Sequence, residues 1–473
     1  MSFKSQWEMR AAFAQSLSTM YGTEVPAYNT LVEVSTEVNQ EHLRRHGADA
    51  ERLGSIGRVT AERHGAIRVG SDREMSQVAR VFAAFGMHPV GFYDLRDAAS
   101  SAVPVVSTAF RPIDADQLAK NPFRVFTSML AVEDQRFFDG ALQRELADFF
   151  AHRELFVPEL LELADRAAAG GGLPETEADR LLELATGAFE LSAEPVDHDW
   201  YRRLEAISAV ASDIGGVAST HINHLTPRVL DIDALYSGME DRGITMIDEI
   251  QGPPRWDGPD VLLRQTSFKA LGEKRLFRHA DGSVQPGELR VRFGEVEARG
   301  IALTPAGRDV YDRMVAEVDS RLATDPDLVR QDVAKGVWEE HLPRTEAELA
   351  ARGLAYFTFA PRPEALPEAP SGPITLAELI ASGAAVPEPV VYEDFLPRSA
   401  AGIFQSNLTD EGSKNDAEQA AAYDIDRMSR IVGREVLDPN GLYQAQQDAS
   451  VVELAKALQI EIAPASSAAI HTR

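Results

Sequence analysis

The chain of 473 residues contains no cysteine. This absence excludes disulfides, thiolate metal sites, iron–sulfur clusters and cysteine nucleophiles. No apolar run is long enough to span a bilayer, and the first eight residues lack the apolar core of a signal peptide. We therefore expect a cytoplasmic protein without a membrane partner.

Positive charge is scarce. The sequence has 47 Lys and Arg residues against 74 Asp and Glu residues, which gives a formal net charge of -27. Such a surface repels a phosphate backbone, so we expect no nucleic-acid partner. A small anionic substrate is still compatible with this charge, because it responds mainly to the few cationic groups that line its pocket.

The common phosphate-binding and zinc-protease motifs are also missing: the sequence has no G-x-G-x-x-G, no Walker-type loop and no His-Glu-x-x-His. His42 and His46 lie one helical turn apart, but their charged neighbours are typical of a solvated helix face. Neither the missing motifs nor this histidine pair therefore identifies a site.

What the sequence does contain is a repeated order of elements. A strand, a helix and three strands are predicted between His64 and Leu130, and the same order returns between His221 and Glu297. In the second unit, the predicted strands after the helix are Ile244–Ile250, Val261–Phe268 and Glu288–Glu297. Two βαβββ modules packed together would form a cupped β-sheet core with a central cavity, which is an α+β architecture with added helices.

We divide the chain into four regions on this basis. The N-terminal helices and first βαβββ module occupy residues 1–130, a helical insertion 131–215, the second module 216–300, and C-terminal helices and loops that complete the pocket 301–473.

Three short stretches place metal-type ligands on predicted strands. His64 lies on the first strand of the first module, His224 on the first strand of the second, and Glu295 and Glu297 on its last strand. Two imidazoles and one carboxylate are the ligand set of a non-haem Fe(II) site with open positions. Taken singly, each stretch is more typical of a buried structural histidine or a solvated strand face; their matching places in the two modules favour a shared site.

Side-chain alternation narrows the choice of ligands. His221 and His224 fall on opposite faces of a regular strand, and we favour His224 because it lies in the middle. Glu295 and Glu297 share a face; we prefer Glu295, with Glu297 as the alternative. Arg68 shares a face with His64, and its guanidinium is suited to binding a carboxylate through two parallel hydrogen bonds.

Seven stretches spread over most of the chain carry a resemblance: Glu62 to Gly70, Ser107 to Asp114, Asn121 to Ser128, His221 to Arg228, Leu263 to Ala270, Phe293 to Glu297 and Glu393 to Leu408. Through these stretches the sequence resembles a known family, the iron-dependent 2-oxoadipate dioxygenase/decarboxylases. The resemblance implies a vicinal-oxygen-chelate-like core. It also implies conversion of 2-oxoadipate and O2 to 2-hydroxyglutarate and CO2 in lysine catabolism.

The resemblance also implies site residues. Fe(II), the Fe2+ ion, would be held by His64, His224 and one glutamate, for which we choose Glu295, while Arg68 would bind the distal carboxylate of a 2-oxo dicarboxylate. Weaker candidates for polar substrate contacts are Gln265, Ser399 and Gln405. Arg398 stands where family members often carry valine, so the substrate preference is open at this point. The oligomeric state is not predicted.

Two other functions are compatible with the residues. The chain could be another metal-dependent enzyme on a chelate fold, such as an isomerase, a lyase or a ring-cleaving dioxygenase, because one fold hosts many chemistries. It could also be a non-catalytic regulator that binds a dicarboxylate.

Overall fold

The structure is a computed structural model, and it describes residues 2–97, 103–270, 272–289, 292–325, 327–366, 373–396, 414–415 and 418–463. Runs of helices and runs of strands follow one another along this part of the chain, which confirms the predicted α+β class. Among the residues described, no helix has both the length and the apolar character needed to cross a lipid bilayer.

The helices are α1 Gln6–Glu24, α2 Ala27–His46, α3 Ile56–Ala61, α4 Asp72–Ala84, α5 Ala115–Lys120, α6 Gly140–His152, α7 Pro158–Gly170, α8 Glu175–Gly187, α9 His198–Glu205, α10 Ala209–Gly215, α11 Ile232–Glu240, α12 Pro305–Thr324, α13 Arg330–His341, α14 Glu346–Ala351 and α15 Leu376–Ser382, followed by two C-terminal helices, Ile425–Val432 and Pro439–Leu458. Short 3-10 turns span Gly47–Glu51 and Pro363–Ala365.

The strands are β1 Phe3–Ser5, β2 Arg63–Val69, β3 His88–Asp94, β4 Val105–Arg111, β5 Arg124–Leu130, β6 Gly172–Pro174, β7 Val196–Asp197, β8 Ile222–Pro227, β9 Leu263–Phe268, β10 Glu273–Arg278, β11 Val284–Leu289, β12 Gly294–Arg299, β13 Phe357–Pro361, β14 Ile374–Thr375, β15 Ala385–Pro389 and β16 Ile462–Ala463.

The central sheet has five strands in the order β3-β4-β5-β2-β8. β2 and β5 are parallel, and the other neighbours are antiparallel. The first module has the predicted order of strand, helix and three strands, with the short helix α5 inserted between β4 and β5. Ser71 caps α4 by accepting a hydrogen bond from the backbone N–H of Glu74.

The two faces of this sheet carry different residues. Ile67 packs in the main apolar core with residues of α4, whereas Ala66 packs on the opposite face with Phe126 and Phe395. His64 lies on that second face, with its ring 5.0 Å from the ring of Phe395. We call the face that carries His64, Ala66 and Phe126 the cup face.

The second module differs from the prediction in two places. Ile244–Ile250, which the structure describes, forms no strand and contributes only an isolated bridge between Met246 and Phe268. The predicted strand Glu288–Glu297 is split, because its first residues pair in the β10–β11 hairpin and β12 begins only at Gly294. β9 and β12 pair with each other, and β12 adjoins the end of β8, where Val229 N–H donates to Glu297 O at 2.8 Å.

An irregularity in the β2–β8 pairing shapes the site. Ala66 lies opposite His224 and Ile67 lies opposite Ile222, so Asn223 is an extra residue in β8. A bulge of this kind interrupts the alternation of side chains along the strand. The two-residue period assumed for His221 to Thr226 is therefore wrong at this point, and Ile222 packs in the main core instead of sharing a face with His224.

Candidate metal centre

Three side chains from three strands meet on the cup face. His64 of β2, His224 of β8 and Glu295 of β12 each offer a ligand atom, and these atoms lie within 4.8 Å of one another. His64 Nε2 is 3.1 Å from Glu295 Oε1, and His224 Nδ1 is 3.6 Å from Glu295 Oε2. None of the three residues is more than 5% exposed.

The donor set of this cluster suits a divalent transition metal. Two imidazole nitrogens and one carboxylate oxygen are the facial set of non-haem Fe(II) sites. The imidazole planes of His64 and His224 are nearly perpendicular, at 89°, with ring centroids 5.4 Å apart. Gln265 on β9 donates from Nε2 to Glu295 Oε1 at 2.7 Å, which orients this carboxylate. The neighbouring strand β9 thus helps to fix the orientation of the acidic donor.

Glu297 occupies a different place from Glu295. Its Oε2 lies 3.2 Å from His64 Nδ1, whereas Glu295 faces Nε2 of the same ring. Arg299 donates to both oxygens of Glu297, at 2.6 and 2.9 Å. An imidazole coordinates a metal through one nitrogen while the other is held by a supporting group. This geometry favours Glu295 for the metal side of His64 and Glu297 for the supporting side.

The pKa values of the two histidines are shifted in opposite directions. Burial disfavours the charged ring of His64, but Glu297 and Glu295 outweigh burial and raise its pKa. Burial lowers the pKa of His224 to about 4, with His64 and Arg68 adding to the effect. His224 is therefore neutral near pH 7, which is the state that a metal ligand requires. The carboxylate of Glu297 is buried, yet Arg299 and His64 hold its pKa well below the usual range.

Arg68 is buried beside the cluster and is ion-paired. Its Nη1 donates to Oδ2 of Asp213 on α10, and Asn223 Nδ2 donates to the same oxygen at 3.0 Å. The positive charge of Arg68 contributes to the lowered pKa of His224, so the guanidinium lies within electrostatic range of the cluster. His221 lies on this side as well, with Nε2 3.1 Å from Asn223 Nδ2.

Aromatic rings line the cluster. The ring of Phe293 stacks on His224 at 5.3 Å with an interplanar angle of 14°, and the ring of Phe395 meets His64 edge-on at 84°. Among the other predicted site residues, Gln265 contacts Glu295, whereas Arg398, Ser399 and Gln405 lie outside the described residues.

The sequence prediction missed several residues that support the site. Asp213 lies in a helix without any motif, so no local signal marks it. Arg124 lies opposite His64 in the β2–β5 pairing, and only knowledge of that pairing would have revealed it. Its guanidinium lies 2.8 Å from Glu62 and 3.4 Å from Glu297.

The chain has an α+β fold, and its buried cluster offers the donor set of a non-haem metal site. A sequence model of the 2-oxoadipate dioxygenase/decarboxylase family matches residues 13–407. The chain therefore belongs to this family and is an enzyme, as the sequence resemblance predicted.

Individual relatives agree with this assignment. The 2-oxoadipate dioxygenase/decarboxylase of Mycobacterium tuberculosis is 56% identical over 438 residues, which cover 93% of this chain and 96% of the relative. That of Pseudomonas putida is 39% identical over 468 residues, covering 97% and 98%. The crystal structure of the hydroxyglutarate synthase from Pseudomonas putida in complex with 2-oxoadipate superposes with a TM-score of 0.81 at 37% identity, covering 97% of this chain and 100% of that one.

Proposed function

We propose that this enzyme converts 2-oxoadipate and O2 to 2-hydroxyglutarate and CO2. The observation that carries the proposal is the buried cluster of His64, His224 and Glu295 in a chain of this family. The similar hydroxyglutarate synthase structure from Pseudomonas putida, which contains 2-oxoadipate, supports 2-oxoadipate as the proposed substrate. The equation balances as written, so no separate 2-oxo acid and no external reductant is needed.

Fe(II) is the metal we propose for the cluster, with His64, His224 and Glu295 as its ligands. Bound there, the ion would supply the redox and Lewis-acid chemistry for O2 and a chelating 2-oxo acid. The contacts of Glu297 with His64 and of Gln265 with Glu295 support this assignment, because ligands with fixed partners keep their geometry when a substrate arrives.

Arg68 is the group we propose for the distal carboxylate. Its guanidinium carries five N–H donors, so the bond to Asp213 is compatible with binding a second carboxylate. Holding the distal end orients the carbon chain at the reacting end, and such positioning lowers a barrier. The rings of Phe293 and Phe395 cover the two histidines on their apolar side. Contacts of the substrate with Arg398, Ser399 and Gln405 remain proposals based on the resemblance, as do a cytoplasmic location and a place in lysine catabolism.

The test is to incubate the protein with Fe(II), O2 and 2-oxo diacids of different lengths, and to follow O2 uptake, CO2 release and product mass. We expect one O2 consumed and one CO2 released per 2-hydroxyglutarate formed from 2-oxoadipate. An absolute requirement for added 2-oxoglutarate would contradict the proposal. Turnover without O2 uptake would instead indicate an isomerase or lyase, and tight binding without turnover a regulator.

A further inference from the structure

A buried polar cluster adjoins the metal centre on the side of Arg68. It consists of Arg68, Asp213, His221 and Asn223, none of which is more than 4% exposed. Asp213 Oδ2 accepts hydrogen bonds from Arg68 Nη1 and from Asn223 Nδ2, the latter at 3.0 Å. A carboxylate oxygen can only accept, so this contact fixes which end of the Asn223 amide faces Asp213. Asp213 is the residue that joins this cluster together.

Both members of the Arg68–Asp213 pair are attached to fixed backbone. Asp213 lies in α10, which begins with Ser208 as its cap. The carbonyl of Ile214, one residue further on, accepts a hydrogen bond of 2.6 Å from Arg153 Nη1. On the other side, Thr220 Oγ1 donates to the carbonyl of Arg68 at 2.7 Å. The cap and the Arg153 bond hold α10, and the Thr220 bond holds the backbone of Arg68, so both side chains of the pair start from fixed backbone.

The position of Asp213 matters because the side chain of Arg68 is long. The arginine side chain is flexible, so the hydrogen-bond partners of its guanidinium decide where that planar group lies and which way its remaining N–H groups point. The Asp213 carboxylate, which is held by α10, fixes one edge of the Arg68 guanidinium. The distance from the guanidinium to His64, His224 and Glu295 is then fixed as well, and a substrate that reaches both ends must match it.

We propose that Asp213 is a positioning residue that fixes the Arg68 guanidinium at one distance from the metal cluster and thereby sets the chain length of the preferred 2-oxo diacid. This inference rests on the proposed function of Arg68 and of the cluster. A purely structural ion pair would contribute to stability, but it would leave the ranking of substrates by length unchanged. The two roles are therefore separable by experiment.

The experiment compares the parent enzyme with Asp213→Ala and Asp213→Asn on 2-oxo diacids of five, six and seven carbons. It measures kcat and KM, iron content, and the Kd of each diacid for the iron-loaded protein without O2 by calorimetry. Asp134→Asn is the matched control, because Asp134 is a buried aspartate whose partners are Arg96 and Arg136.

In the parent, one methylene more or less should cost roughly 10- to 200-fold in kcat/KM. Asp213→Ala should keep its iron and should bind the six-carbon diacid about tenfold or more weakly without O2. The kcat/KM values of the three diacids should then lie within about threefold of one another, because Arg68 loses the partner that fixes its position. Asp213→Asn should recover most of the length preference, since its amide oxygen can take the place of Oδ2 and accept from both Arg68 and Asn223. The control should keep the parent ranking.

An Asp213→Ala enzyme with iron bound and the parent ranking of diacids would overturn the inference, and so would an Asp213→Asn enzyme that folds but has lost the ranking. Should Asp213→Ala not fold, Asp213→Glu decides, since a carboxylate displaced by one methylene must change the ranking if Asp213 sets it. A parent protein that turns over no diacid at all would instead refute the proposed function. The two failures are therefore distinguishable.

Discussion

At the scale of single residues, the two glutamates of β12 contact different nitrogens of the same imidazole. Both approach His64, but Glu295 faces Nε2 and Glu297 faces Nδ1. The sequence placed both on one face of a strand, and we preferred Glu295 with Glu297 as the alternative. The choice depends on Arg299 and Arg124, which engage Glu297, and on Gln265, which engages Glu295.

Substitution of each glutamate by glutamine should separate the two roles. Glu295→Gln should lose iron, because an amide is a much poorer ligand than a carboxylate. Glu297→Gln should still bind iron, with an affinity lowered by roughly 10- to 100-fold, as is usual for a group that supports a ligand. Metal analysis and competition with a chelator measure both. Full iron occupancy in Glu295→Gln would reject the ligand assignment.

A second prediction concerns His221 and pH. Burial lowers its pKa from the usual 6.5 to about 4, although Asp213 opposes this. Between these two values the unfolded chain binds a proton that the folded chain does not, so stability falls as the pH falls through this range. The contribution of one such group approaches about 1.4 kcal/mol per pH unit.

Urea denaturation of the parent and of His221→Gln at pH 5, 6 and 7 tests this contribution. The advantage of the parent over the variant should be largest at pH 7 and should shrink towards pH 5, since glutamine does not titrate. A stability difference that stays constant over this range would contradict the lowered pKa of His221.

At the scale of elements, β2 of the first module was predictable because its side chains keep a regular two-residue period. Ile67 and Ala66 alternate between the two faces of the sheet as the two-residue period requires. β8 was not predictable in the same way, because the extra residue Asn223 is accommodated only by its pairing with β2. The β10–β11 hairpin did leave a signal, since the Asp281-Gly282 pair is typical of a tight turn and Gly282 has φ of +82°.

Close packing between β9 and β12 gives a prediction for Gly294. A β-carbon at this position would lie 1.8 Å from Cε1 of Phe268, its partner across the strand pair. Gly294→Ala should therefore push β12 away from β9, displace the adjacent Glu295, and lower both stability and iron affinity. Metal analysis and thermal unfolding measure the two effects.

Gly336 supplies the control for this substitution. It lies within α13, and a β-carbon there would meet nothing within 4 Å. Gly336→Ala should leave iron binding unchanged and increase stability by up to about 1 kcal/mol, because alanine favours helix over glycine. Normal iron affinity in Gly294→Ala would show that the position of Glu295 does not depend on the strand contact.

At the scale of the whole molecule, a buried charge network adjoins the candidate metal centre through Glu297. Glu62 is at its middle, with carboxylate oxygens 2.8 Å from Arg124 and 2.9 Å from Arg228, and with Arg299 and Arg58 at 3.5 and 3.7 Å. Burial would raise the pKa of Glu62, but these arginines hold it well below the usual value. The network joins residues far apart in the chain, which is why no local pattern predicted it.

Neutralising Glu62 should therefore destabilise the whole chain. Glu62→Gln leaves buried arginines without their shared carboxylate, and breaking a buried pair of this kind costs about 3–5 kcal/mol. Urea denaturation measures the loss. Glu37→Gln is the control, because Glu37 pairs with Arg242 at the surface, where ion pairs contribute little. Equal stability of the two variants would contradict a central role for Glu62.

Contacts between distant parts of the chain also limit how much of the site could be predicted from the sequence. His64, His224 and Glu295 were predictable as ligand types on matching strands, and the structure brings them together. The supporting residues Asp213 and Glu62 were not predictable, because their partners come from elements that meet only in the folded chain. The division into four regions stays a prediction.

The positions of His64, His224 and Glu295 in the chain also decide when the complete ligand set becomes available during synthesis. His64 leaves the ribosome early, but Glu295 emerges only after the first module, the helical insertion and most of the second module. A nascent chain therefore cannot capture a cation in this pocket before most of the polypeptide has been made. We expect capture of the proposed Fe(II) to require β12, so a chain that ends before this strand should not hold the ion in the pocket.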